Sequence, residues 1–141
     1  MKKVFFLFVA LVAAVCTMTT LTSCEPEQIN TARTSVKSKI SYVGEVSSET
    51  LNEITVAEIR INARLVAMFG EEFIVECKSG TWPTEDDFLP YDARISDDSV
   101  IKKEIEHLKT LKTTDGKKTV TSVNFNYVNG TTVFTTFPII L

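Results

Sequence analysis

Hydrophobic and polar positions divide the chain into stretches of different period. From Lys118 to Val128 and from Thr131 to Ile139, β-branched and aromatic residues predominate, and Asn129-Gly130 between them is a two-residue type I′ turn signal. These runs predict a C-terminal hairpin with Val128 opposite Thr131 and Phe125 opposite Phe134. Val123, Phe125 and Tyr127 would share one face, and Ser122, Asn124 and Asn126 the other. Pro138 cannot donate to a ladder, so the last strand is predicted to lie at an edge or to stop there. The apolar tail Ile139, Ile140 and Leu141 is expected either in the core or against a partner. Upstream, Ile101, Ile105, Leu108 and Leu111 fall on one stripe of a helix predicted from Ser99 to Lys112, capped by Ser96 or Asp97, with acids early and lysines late.

The segment Leu51 to Phe69 fits two templates. Leu51, Ile54, Ala57, Ile61, Leu65 and Met68 recur at helical spacing, while Ile59, Ile61, Ala63 and Leu65 alternate with Glu58, Arg60, Asn62 and Arg64 as in a strand. A capping-box spacing at Thr50 and Glu53, the Ala, Leu, Met, Glu and Arg content, and Gly70 as a stop favour helix. Val36 to Val46 and Phe73 to Cys77 read as strands. Ser79 to Asp98 loses its period and reads as a long acidic loop, shortened by a helical turn from Thr84 to Leu89.

The N-terminus has another character. Lys2 and Lys3 precede an uncharged run from Val4 to Val15, too short for a bilayer core of about 30 Å, which needs roughly 20 apolar residues. Small and hydroxyl residues follow, ending in Leu21-Thr22-Ser23-Cys24. This arrangement resembles the signal peptide and lipobox of Gram-negative bacterial lipoproteins. The resemblance covers about residues 1–28 and implies cleavage before Cys24 and acylation of its thiol. Cys16 is the competing position, but bulky Val15 before it suits the peptidase poorly. No Asp follows Cys24, so the resemblance implies the outer membrane, facing periplasm or cell surface. Residues 1–23 are then the signal peptide, 24–35 the lipidated Cys with a flexible polar tether, and 36–141 a single globular domain. Two or more acyl chains make such an anchor stable where one is marginal.

Removing the signal leaves 118 of 141 residues, with 13 Lys and Arg against 18 Asp and Glu because two lysines go with it, a net of −5. That acidity argues against nucleic acid, whose phosphates demand a basic patch. With Cys16 cleaved away and Cys24 acylated, Cys77 has no partner for an intramolecular disulfide. His107 is the only His, which excludes a His-Cys metal cluster, and its pairing with Cys77 would require the two to meet in space. Glu85, Asp86, Asp87, Asp92, Asp97 and Asp98 offer oxygen atoms for Ca²⁺, with Asp86, Asp87 and Asp92 the weak candidates, but not at EF-hand spacing. Helix caps and a solvated loop explain these acids as well, and no metal or other cofactor is expected. Trp82, Phe88 and Tyr91 are candidates for a ligand-binding platform, against the plainer role of anchoring their loop. Asp98-Ser99-Val100 resembles the pattern at which one Gram-negative phylum O-glycosylates secreted proteins, which makes Ser99 a candidate. Nucleophile-elbow, phosphate-loop and metalloprotease motifs are absent from the sequence.

The expected fold is therefore α+β, a small antiparallel sheet containing the C-terminal hairpin and packed by one or two helices; a mainly β sandwich or barrel with one helix is the alternative. The expected function is that of a non-enzymatic binding or accessory module for a protein, peptide or glycan, held at the outer membrane through Cys24. An envelope structural or assembly protein is the second expectation and a small hydrolase a distant third.

Overall fold

Alternation along two neighbouring strands makes one face of a sheet the floor of the core: Thr34, Val36, Ser38 and Ile40 are buried on one, and Val123, Phe125 and Tyr127 on the other. The computed structural model describes residues 30–141. The expected signal peptide over residues 1–23, Cys24, and residues 25–29 of the expected tether lie outside the described residues. Within them the elements are β1 (Asn30–Tyr42), α1 (Ser48–Phe69), β2 (Phe73–Cys77), a 3₁₀ turn (Glu85–Phe88), α2 (Leu89–Asp97), α3 (Ser99–Leu108), β3 (Val120–Asn129) and β4 (Thr132–Ile140). The sheet is antiparallel throughout, in the order β2-β1-β3-β4. The α+β expectation with a C-terminal hairpin is met.

Helix wins over strand between residues 51 and 69. Ile54, Ala57, Ile61 and Leu65 are buried at helical spacing, and Gly70 ends the helix at φ 83°, a left-handed value that a residue with a Cβ adopts only at a cost. The cap lies three residues earlier than predicted: Ser47, not Thr50, accepts the N–H of Thr50 through its side chain at 3.1 Å. Leu51, in the first turn, falls on the exposed side. At α3, Asp98 replaces the predicted Ser96 or Asp97 as cap, accepting from the Ile101 N–H at 3.0 Å. The helix stops at Leu108, short of Lys112, and Leu111 remains buried beyond its end.

Two boundaries differ more. β1 starts at Asn30, so residues 30–35 belong to the sheet and not to the tether; Asn30 to Thr34 pair with Cys77 to Phe73. The small polar residues of this segment suit a tether by composition, but pairing with β2 satisfies their backbone groups and buries Thr34. The predicted acidic loop contains all of α2. Pro90 occupies the first turn of that helix, where a missing N–H costs nothing.

The hairpin keeps its predicted faces but not its register. Gly130 (φ 61°) and Thr131 form the two-residue loop, Asn129 pairs with Thr132, and Val128 lies opposite Val133. An irregularity between Tyr127 and Val128 inserts Phe134 as an extra residue, so Phe125 meets Phe137, with ring centroids 6.0 Å apart. Phe134 is thereby free to pack elsewhere. β4 is an edge strand carrying Pro138, as predicted, and Ile139 and Leu141 pack against the core while Ile140 stays exposed.

Candidate functional site

The three aromatic residues of the 79–98 segment do not form an exposed platform. Phe88 is fully buried, stacked on Tyr127 with centroids 4.1 Å apart. Tyr91 is half-buried, 6.4 Å from Phe88 and packed with Phe69 and Phe73 at 5.7 and 4.9 Å, and Arg94 lies 4.6 Å over the Phe69 ring. Only Trp82 is exposed, at 59%. Its ring meets Phe134 edge to face at 5.3 Å, the residue that the β4 irregularity turns inward. Two of the three candidates therefore anchor the segment to the core.

The acidic candidates are occupied by structural work. Asp87 accepts from the Thr84 N–H at 2.9 Å and the Lys78 N–H at 3.3 Å, closing a capping box on the 3₁₀ turn. Asp92 accepts the Tyr127 hydroxyl at 2.5 Å. Burial raises the Asp92 carboxyl above its ordinary range, and the Tyr127 hydrogen bond pulls the other way. Burial, followed by Asp92, pushes the Tyr127 phenol far up, so it remains a donor. Asp86 is exposed. Among the described residues no three His, Cys, Asp or Glu side chains gather where an ion could be held.

Cys77 and His107 are not brought together. Cys77 is buried on β2, and burial, then the Asp87 charge, pushes its thiol up and away from the reactive thiolate. His107 is half-exposed on α3 and lies 3.0 Å from Glu53 of α1. Ser99 is exposed in the first turn of α3, beside the Asp98 cap.

Sequence reasoning missed how α1 completes the sheet. β2 ends opposite Thr34, while β1 runs on to Tyr42. Two α1 side chains take over where that partner is lacking. Asn62 accepts from the Ser38 N–H at 2.7 Å and the Ser38 hydroxyl at 3.0 Å, and Glu58 accepts from the Ile40 N–H at 2.9 Å. The available signal was the four-residue spacing of Glu58 and Asn62 alongside the apolar stripe. Next to them, Val36, Val66, Gly70 and Glu72 line an open groove of about 630 Å³.

Among the described residues, the opposite face of the sheet carries no helix. Exposed Lys37 and Lys39 stand on it with a network of amides and hydroxyls: Asn124 donates to Ser41 at 3.0 Å, and Thr136 donates to Asn126 at 2.7 Å. Such a face can hydrogen-bond a flat polar ligand. The chain matches no family model, and comparison with curated proteins and with solved structures gives no match.

Proposed function

We propose that the chain is an outer-membrane lipoprotein whose domain serves as a binding or accessory module for a protein, peptide or glycan. The observation that carries this reading is Leu21-Thr22-Ser23-Cys24 behind a basic and then apolar N-terminus. The start of β1 only six residues after Cys24 supports it further, because a folded domain then follows the acylation position at once. The recognition surface in this reading moves from the 79–98 segment to the uncovered sheet face around Lys37, Lys39, Asn124 and Asn126. Metabolic labelling with an alkyne fatty acid should mark the wild-type chain in the outer-membrane fraction and leave Cys24→Ala unmarked. Equal labelling of the two would remove the anchor. Binding of the domain to a peptidoglycan or glycan panel should weaken in Lys37→Ser and Asn126→Ala and be indifferent to Tyr91→Phe.

A second reading, an envelope assembly protein, rests on one specific feature. β4 is an outer strand, and no charged side chain occurs from Thr131 to Leu141. Edge strands are usually blunted by charge. Pro138 and the irregularity at Phe134 are the blunting devices on β4, and a partner strand pairing along its second half would make recovery of that partner sensitive to Thr136→Lys.

A further inference from the structure

The position of Asn30 determines which end of the domain an anchor at Cys24 would hold. Six Cα-to-Cα steps separate the two residues, so Cys24 lies within about 20 Å of Asn30 even with the chain drawn out. Asn30 Nδ2 donates to the Gly80 carbonyl at 3.1 Å, and Trp82 is two residues further on. The hairpin loop points the same way, because β3 runs antiparallel to β1 and its last paired residue there, Val128, is opposite Ser35. This end of the molecule therefore collects Trp82 (59% exposed), with half-buried Phe134 against its ring, and Val133 (56%) next in the chain on β4. Gly130, Thr131 and Thr132 at its tip bear no charge.

We propose that Trp82, with Val133 and Phe134, is a lipid-contact site that seats this end of the domain on the bilayer surface; the proposal rests on the lipoprotein reading above. Trp is the residue whose ring suits the boundary between headgroups and acyl chains, apolar in body with one N–H for the wet side. One Trp and one Val are too little to hold a free domain on a membrane. With the acyl chains already inserted, however, the contact becomes intramolecular, and the high effective concentration keeps it populated. Its role is to set orientation. The sheet face bearing Lys37 and Asn126 then stands steeply to the bilayer. Glu85 and Asp86, exposed on the adjacent 3₁₀ turn, disfavour strongly anionic lipid, so the matching surface is zwitterionic phospholipid.

Trp82 is the only Trp in the chain and reports on itself. The acylated mature chain from Cys24 on, reconstituted into phosphatidylcholine vesicles, is expected to lose Trp emission when the lipid is brominated close to the headgroups, and to resist quenching by aqueous iodide. Acylated protein that floats with the vesicles but keeps its emission on brominated lipid and remains open to iodide would leave the anchor standing and overturn the lipid contact, releasing Trp82 for a protein or glycan partner. Protein that does not float at all would overturn the lipoprotein reading and this proposal with it. Lys substituted for Val133 supplies an independent measurement: it should reduce quenching by brominated lipid without reducing flotation, and unchanged quenching would remove the hairpin tip from the contact.

Discussion

Arg64 on α1 grips Asp98 at the head of α3, its Nε 3.0 Å from Oδ1 and its Nη2 2.7 Å from the same oxygen, while Asp98 Oδ2 accepts the Ile101 N–H at 3.0 Å. One carboxylate thus caps a helix and ties it to another. The Arg64 hydrogen bond, ahead of all other influences, holds the Asp98 carboxyl below its ordinary range. A carboxyl depressed in the fold stabilises it fully above the unfolded value, about 3.9, and loses that contribution as pH falls through the lower folded value. Asp98→Ala, which removes cap and ion pair together, should cost about 1–2 kcal/mol. Asp98→Asn keeps an acceptor for Ile101 and should cost less. In urea titrations the wild-type advantage over Asp98→Asn should be steady at neutral pH and shrink below about pH 4. An advantage that persists undiminished in acid would mean that the charge contributes nothing.

Asp92 and Tyr127 carry the opposite sign. Burial raises the Asp92 carboxyl, so its ionisation opposes folding, and that cost appears as pH rises above the unfolded value. The Tyr127 hydroxyl relieves part of it. Tyr127→Phe leaves the carboxylate half-desolvated without its donor and should destabilise by about 1–3 kcal/mol at neutral pH. The penalty should shrink on acidification, as Asp92 takes up a proton. A pH-independent loss would assign the effect to packing against Phe88 alone.

Residues whose burial follows their own element's period were legible in the sequence. The stripe Ile54, Ala57, Ile61, Leu65 and the face Val123, Phe125, Tyr127 appear where the spacing puts them, because a helix or strand that buries one face repeats its apolar positions. What could not be read depended on meetings between distant elements. The hairpin register turned on Phe134 being drawn out of the ladder toward Phe88, 46 residues earlier in the chain. Residues 30–34 of the expected tether form a strand because β2, far along the chain, supplies a ladder for them. At the candidate site, composition could not separate exposed Trp82 from Phe88 and Tyr91, since the burial of the latter two is set by Tyr127, Phe69 and Phe73.

Asn62 and Glu58 predict a local effect rather than a global one. Their side-chain oxygens hold the N–H groups of Ser38 and Ile40 on the side of β1 where, among the described residues, β2 no longer pairs. Asn62→Leu preserves approximate size and removes the acceptor, leaving the Ser38 N–H and hydroxyl unpaired, at a cost of about 1–3 kcal/mol. Amide exchange should accelerate at Ser38 well beyond the change at Lys39, whose N–H faces β3 in the alternating ladder. Equal acceleration at both would indicate general loosening of the sheet.

Gly44 and Gly116 have nearly the same left-handed backbone, φ 82° and 85°, but different surroundings. A Cβ on Gly116 meets nothing within 4 Å, whereas one on Gly44 would come to 2.6 Å from Thr113 Cγ2. Thr113 is not free to turn aside. Its hydroxyl accepts the Lys117 N–H at 2.9 Å and donates to Asp115. Gly116→Ala should therefore cost only the backbone penalty, about 1–2 kcal/mol, and Gly44→Ala should add an overpacking term of about 1–3 kcal/mol. Thr113→Ser removes the offending methyl while keeping the hydroxyl. Paired with Gly44→Ala it should recover the overpacking term but not the backbone penalty, while paired with Gly116→Ala it should recover nothing. Thermal unfolding of the four variants separates the two costs, and equal losses in the two glycine variants would show that the contact with Thr113 is relieved by backbone movement instead.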